Sequence, residues 1–185
     1  MADLYTAKMK HCSDTVKRFT VLQYNTFEPV GKIIRIVLAL ALIIVGSLSG
    51  STTAFIALAF LGCILLTNLN TRAESVADQL ERALQGKFPE LEYSFSETGF
   101  TDGADRAEIP YSDFIRLIED DDYLYLFISK ASGYMLEISS VIGENGAEGL
   151  KRLLSEKSGC EWTRPVTLLS FRLKDFCVKR KYNAR

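Results

Sequence analysis

The chain has 185 residues with 22 basic and 23 acidic side chains, so its net charge is near −1 and it lacks the basic excess of a nucleic-acid binder. Its four cysteines, Cys12, Cys63, Cys160 and Cys177, form no CxxC pair, and the one histidine, His11, stands beside Cys12. That pair supplies two of the three or four ligands a metal site needs, and a lone histidine in a polar lead-in is a poor start for a Ser-His-Asp triad, so neither an enzyme nor a cofactor is expected.

Residues 1–32 read as an N-terminal segment. Met1–Asp14 is polar and reads as a mobile lead-in. Thr15–Tyr24 is rich in β-branched and aromatic residues, with Phe19 and Val21 on one alternating face, and predicts a strand that pairs with the C-terminal domain. Asn25 begins a turn, and Phe27-Glu28-Pro29 leads onward.

Residues 33–69 hold two apolar runs separated by Ser49-Gly50-Ser51. Each run is roughly 16–18 residues, or about 24–27 Å of helix, at the short end of what crosses a hydrocarbon core of about 30 Å. Arg35 is the one charge inside, close enough to the end to snorkel toward headgroups. The runs show no polar stripe of the kind a surface helix of a soluble core carries. They predict a two-span transmembrane hairpin. Its turn is uncharged, whereas Lys17, Arg18, Lys32, Arg35 and Arg72 flank the inner ends, which predicts cytoplasmic termini. Gly46 and Gly50 form a GxxxG that reads as flexibility at the bend, and Ala39, Ala41, Ala57, Ala59 and Cys63 are candidates for the helix seam.

Residues 70–87 keep the helical period through Ala73, Val76, Ala77, Leu80 and Leu84, with Gly86 as terminator. They predict a helical stalk, either continuous with the second span or separated from it at Asn68–Asn70. From residue 88 to 185 the pattern is β-rich. Leu91–Ser96 alternates, Glu97-Thr98-Gly99 is a tight turn, and short strands follow at Phe100–Asp102 and Arg106–Tyr111. Tyr123–Ile128 is the most apolar stretch and predicts a central strand, followed by Tyr134–Ile138. Ala147, Leu150, Leu153 and Leu154 predict a helix ending near Gly159, and Thr167–Leu173 a last strand. Glu119-Asp120-Asp121-Asp122 lacks the alternating oxygens, glycine and terminal Glu of a calcium loop, and reads as a charged turn.

The motif Tyr93-x-Phe95-x-x-x-Gly99-Phe100, then Ile109-Pro110-Tyr111-Ser112-Asp113-Phe114, then acidic Glu119–Asp122 before Tyr123-Leu124-Tyr125-Leu126, resembles the YcxB-like family of bacterial membrane proteins. Ile138-Ser139-Ser140-Val141-Ile142 departs from that pattern in lacking a proline. The resemblance implies an α+β membrane protein: a short strand, a two-helix hairpin, and a small cytoplasmic antiparallel β domain similar to pleckstrin-homology-like folds, closed by a helix. It implies no activity.

The expected role is a membrane-anchored cytoplasmic interaction or regulatory module without catalysis, whose partners are the lipid bilayer, a membrane or cytoplasmic protein, and a second copy of the chain. The alternative is an anionic-lipid headgroup-binding domain at the inner leaflet. It draws on Lys17, Arg18, Lys32, Arg35, Arg72 and the basic tail residues Lys179, Arg180 and Lys181. A third reading is an oligomeric transporter or channel component.

Overall fold

In the computed structural model, which describes residues 3–88, 90–103 and 107–165, the first strand comes earlier than the sequence suggests. It is β1, Tyr5–Lys10, inside the stretch expected to be a mobile lead-in. Tyr5, Ala7 and Met9 are buried while Lys8 and Lys10 are exposed, the alternation of a half-buried strand. The expected strand at Thr15–Tyr24 is instead helix α1, Ser13–Phe27. The Thr15 hydroxyl accepts a hydrogen bond from Cys12 N (2.8 Å) at its start. Phe19 and Leu22 pack into the core under the sheets while Val16 and Thr20 are buried on the same helix, and this burial overrides the β propensity of the stretch.

Helix α2, Pro29–Leu48, follows directly, with Pro29 at its first turn where no amide donor is needed. The turn at Ser49–Ser51 falls where the sequence places it, and α3 is Thr52–Thr67. A break at Asn68–Asn70 separates α3 from α4, Thr71–Leu84, although the helical path runs on through Thr52–Leu84. Among the described residues two helices, Pro29–Leu48 and the path Thr52–Leu84, are therefore long and apolar enough to cross a membrane, and few of their residues are buried. At about 1.5 Å per residue, α2 is about 30 Å long and α3 about 24 Å.

Where α2 and α3 touch, glycine and alanine set the distance. A Cβ on Gly62 would lie 3.0 Å from the Ala39 carbonyl oxygen, and one on Gly46 would lie 3.2 Å from Phe55 Cα. Ala39 is fully buried at this seam. Gly46 thus serves close packing rather than bending, and Ala41, Ala57 and Cys63 are exposed, away from the seam expected of them.

Strand β2, Glu90–Phe95, pairs antiparallel with β1 from Tyr5↔Phe95 to Lys10↔Glu90. The helices α1–α4 are thus an insertion between two paired strands. β3, Gly99–Asp102, and β4, Ile109–Pro110, extend the sheet on one side. A single 3-10 turn at Tyr111–Asp113 leads to β5, Arg116–Glu119, then β6, Tyr123–Phe127, and β7, Gly133–Glu137. β8, Ile142–Gly143, returns to β1, α5 spans Gly146–Ser158, and β9, Trp162–Thr163, runs parallel to β5. The strand orders are β4-β3-β2-β1-β8 and β7-β6-β5-β9. The protein is α+β, and all the ladders except β5–β9 are antiparallel. The predicted strand at Thr167–Leu173 lies outside the described residues.

β6 is interior, as its composition predicts, and Leu124–Phe127 are all buried. Leu126 pairs with Tyr134, whose ring meets Phe100 edge-on at 4.7 Å, so that face looks toward the other sheet. Tyr125 and Phe127 point the opposite way, where Phe19 of α1 stacks on both rings and Phe27 meets Phe127 edge-on at 5.2 Å. Gly133, opposite Phe127, has no room for a side chain: its Cβ would lie 2.7 Å from the Phe127 ring.

Two outcomes follow for thermal unfolding of the detergent-solubilised chain. Gly62→Leu forces α2 and α3 apart and should cost about 1–3 kcal/mol, whereas Gly31→Ala, which meets nothing within 4 Å, should be neutral or slightly stabilising. His11 joins β1 to α1; its Nδ1 is buried without a partner among the described residues, and burial lowers its pKa. The folded state then binds the proton more weakly than the unfolded one. Its contribution is complete above the unfolded pKa of about 6.5 and is lost as pH falls through that value. The thermal midpoint should drop between about pH 7.5 and 5.5, and His11→Gln should flatten that drop.

Candidate functional site

The basic residues that flank the apolar runs are sorted by the fold into two groups. Lys17 and Arg18 lie on α1, more than two turns before α2, and both engage acids. Lys32, Arg35 and Arg72 gather at the base of the α2–α3 hairpin. Lys179, Arg180 and Lys181 lie outside the described residues.

Arg18 ties α1 to the β5–β6 turn. Its Nη2 is 3.0 Å from Asp120 Oδ2 and its Nη1 3.1 Å from Asp122 Oδ2, while the guanidinium sits 4.9 Å from the centre of the Tyr123 ring. Asp120 is held in turn. Its Oδ1 accepts from the backbone N–H of Asp122 (3.0 Å) and of Tyr123 (2.9 Å), and its Oδ2 from the Tyr125 hydroxyl (2.7 Å). This is an Asx-type turn, the local hydrogen bonding that makes Asp common in tight connections. The acidic run is a structural turn that presents two carboxylates to one arginine. Burial opposes the charge on Arg18, but Tyr125, Asp120 and Asp122 outweigh it and hold its pKa above the ordinary value. Burial, reinforced by the bond to Asp120, pushes the Tyr125 hydroxyl well above its usual range.

The second group is held by neutral partners. Lys32 Nζ donates to Asn25 Oδ1 (3.2 Å) and to Asn70 Oδ1 (3.1 Å). Arg35 Nη1 donates to the Asn68 carbonyl (2.9 Å), just past the C-terminus of α3, where unpaired carbonyls and the helix dipole attract a cation. That bond is the physical reason an arginine sits in the apolar run. Arg72 Nη1 donates to the Tyr24 hydroxyl (3.2 Å), bringing the end of α1 against the start of α4. Sequence spacing marks all three as inner flanks; that Tyr24, Asn68 and Asn70 orient them is not legible there, because those contacts join residues 48, 33 and 38 positions apart.

Other polar clusters read as structural. Ser96 and Thr98 both donate to Glu108 Oε1, closing the β2–β3 turn and keeping that carboxyl below its usual range. Lys151 of α5 bridges Glu119 and Glu148, and Trp162 Nε1 donates to the Lys151 carbonyl. No group of three or more His, Cys, Asp or Glu able to hold a metal is found among the described residues.

Removing the Arg18 side chain leaves Asp120 partly buried without its cation. Arg18→Ala should lower stability by about 1–2 kcal/mol, a value tempered by the exposure of Asp122. Arg18→Lys should recover only part of it, because a compact ammonium lacks the spaced planar donors of the guanidinium and its contact with the Tyr123 ring. Chemical denaturation followed by the fluorescence of Trp162, whose strand β9 pairs with β5, reads both.

No curated protein and no solved structure matches the chain. Residues 95–154, from the last residue of β2 into α5, match the family described as YcxB-like protein, the family that the sequence resembles.

Proposed function

We propose that the chain is a membrane-anchored module whose β domain docks a protein partner beside the inner leaflet, with no catalysis of its own. The observation that carries this reading is the bare α2–α3 hairpin inserted between paired strands. Val30, Ile34, Val37, Ile44, Val45, Ile56 and Phe60 are each more than half exposed. Fully burying such a side chain is worth about 1.5–3 kcal/mol, so a sleeve of them facing water is strongly disfavoured, and lipid removes that cost. Because β1 and β2 pair, both ends of the hairpin return to the same side. Lys32, Arg35 and Arg72 at that end favour the cytoplasmic side. The two sheets, antiparallel apart from the short β5–β9 pair, with α5 against them support a pleckstrin-homology-like domain held close to the bilayer by α1 and α4.

A second reading is favoured by the same three cations: recognition of anionic lipid headgroups at the inner leaflet.

Photo-cross-linkers at Ile115 and Ile142, exposed apolar positions of the β domain, test the first reading in intact cells. The expected result is a discrete adduct to another protein from these sites, from a chain that resists carbonate extraction. A chain released by carbonate, or one cross-linked to no protein from either site, would overturn it.

A further inference from the structure

Cations among the described residues differ in how they are neutralised. Lys8, Lys17, Arg18 and Lys151 each contact a carboxylate. Lys32, Arg35 and Arg72 contact no carboxylate among the described residues, as is true also of Lys10, Lys130 and Arg152, but these three are oriented together at the hairpin base by amide, carbonyl and hydroxyl oxygens. We propose that these three form a binding site for the phosphate of an anionic lipid headgroup at the base of the α2–α3 hairpin. The proposal rests on the second reading above, and on the hairpin being embedded.

The chemistry of the partners supports it. An ammonium has three donors and a guanidinium five; Lys32 commits two, and Arg35 and Arg72 one each, to the bonds described here. Neutral oxygens fix the direction of these side chains without cancelling their charge, so positive potential and spare donors remain together at one place. Guanidinium forks suit phosphate oxygens.

Position chooses the source of the phosphate. Lys32 and Arg35 lie in the first two turns of α2, interleaved with exposed Ile33, Ile34 and Val37. A lipid places its phosphate against the cations and its acyl chains along this apolar surface, whereas a free anion uses only the polar half.

The test uses the full-length chain in a non-ionic detergent, titrated with short-chain phosphatidylglycerol, with phosphatidylcholine of the same chain length, and with inorganic phosphate. Phosphatidylglycerol should raise the thermal midpoint saturably, and the other two should not at matched concentration. At roughly fivefold per cation, Lys32→Gln, Arg35→Gln and Arg72→Gln combined should weaken apparent affinity about a hundredfold. Lys8→Gln, which removes a carboxylate-paired cation of β1, should leave it unchanged. Because Arg35 also caps α3, the single variant Arg72→Gln is the control for folding: it should bind about fivefold more weakly with unchanged far-ultraviolet circular dichroism. Equal stabilisation by phosphatidylcholine, or by inorganic phosphate, would overturn the assignment to an anionic lipid. Wild-type affinity in both Arg72→Gln and the triple variant would overturn the site. Carbonate extraction of the same variants reports anchoring separately, so loss of the site and loss of the membrane hairpin are distinguishable.

Discussion

The six-residue ladder between Tyr5–Lys10 and Glu90–Phe95 is the constraint on which the other features depend. It closes a loop of about 80 residues, yet loop-closure entropy grows so slowly that this costs only about 2 kcal/mol more than a ten-residue turn. Burial of Tyr5, Ala7 and Met9 and the ladder's hydrogen bonds offset that cost. Once the strands pair, the helical hairpin must leave and return on the same side of the sheet. If lipid surrounds α2 and α3, the number of crossings is even and the β domain stays at the hairpin's base. This parity follows from strand pairing, independently of hydropathy and of charge in the flanks.

The insertion is stitched to the sheets at several points. α1 lays Phe19 and Phe27 on Tyr125 and Phe127, and Arg18 adds a charged contact at the β5–β6 turn. α4 reaches the sheets through α1: Ala73 and Ala77 are buried on α4, Glu81 accepts from the Ser13 hydroxyl (2.8 Å), and Glu74 pairs with Lys17. The contacts at the hairpin base thus run through α1 to β6 of the four-stranded sheet, which lies with β5 and the acidic turn inside the matched residues 95–154.

The same layering explains where local patterns misled. Thr15–Tyr24 has the composition of a strand, but its Phe19 and Leu22 are needed on a helical face packed into the core. Tyr5–Lys10 alternates correctly, yet Ala, Lys and Met are weak strand formers and no turn follows to announce a hairpin. Its partner lies on the far side of four helices. In the sequence Gly62 is one small residue among many apolar ones, and it becomes critical only when α2 brings the Ala39 carbonyl to 3.0 Å from where its Cβ would lie.

The sequence by itself determined the two apolar helices and their turn, the strands β2, β3, β4, β6 and β7 though not β5, the helix ending at Ser158, and the family resemblance of the β-rich segment. These are written in local periodicity and in turn residues, which act over a few positions. Tertiary structure alone decided that the strand before the helices closes on the strand after them, that α1 is a helix, and that Lys32, Arg35 and Arg72 converge while Arg18 is taken by Asp120 and Asp122. Those outcomes depend on which distant surfaces remain to be covered and which charges remain to be paired, and both are known only when the whole chain has folded.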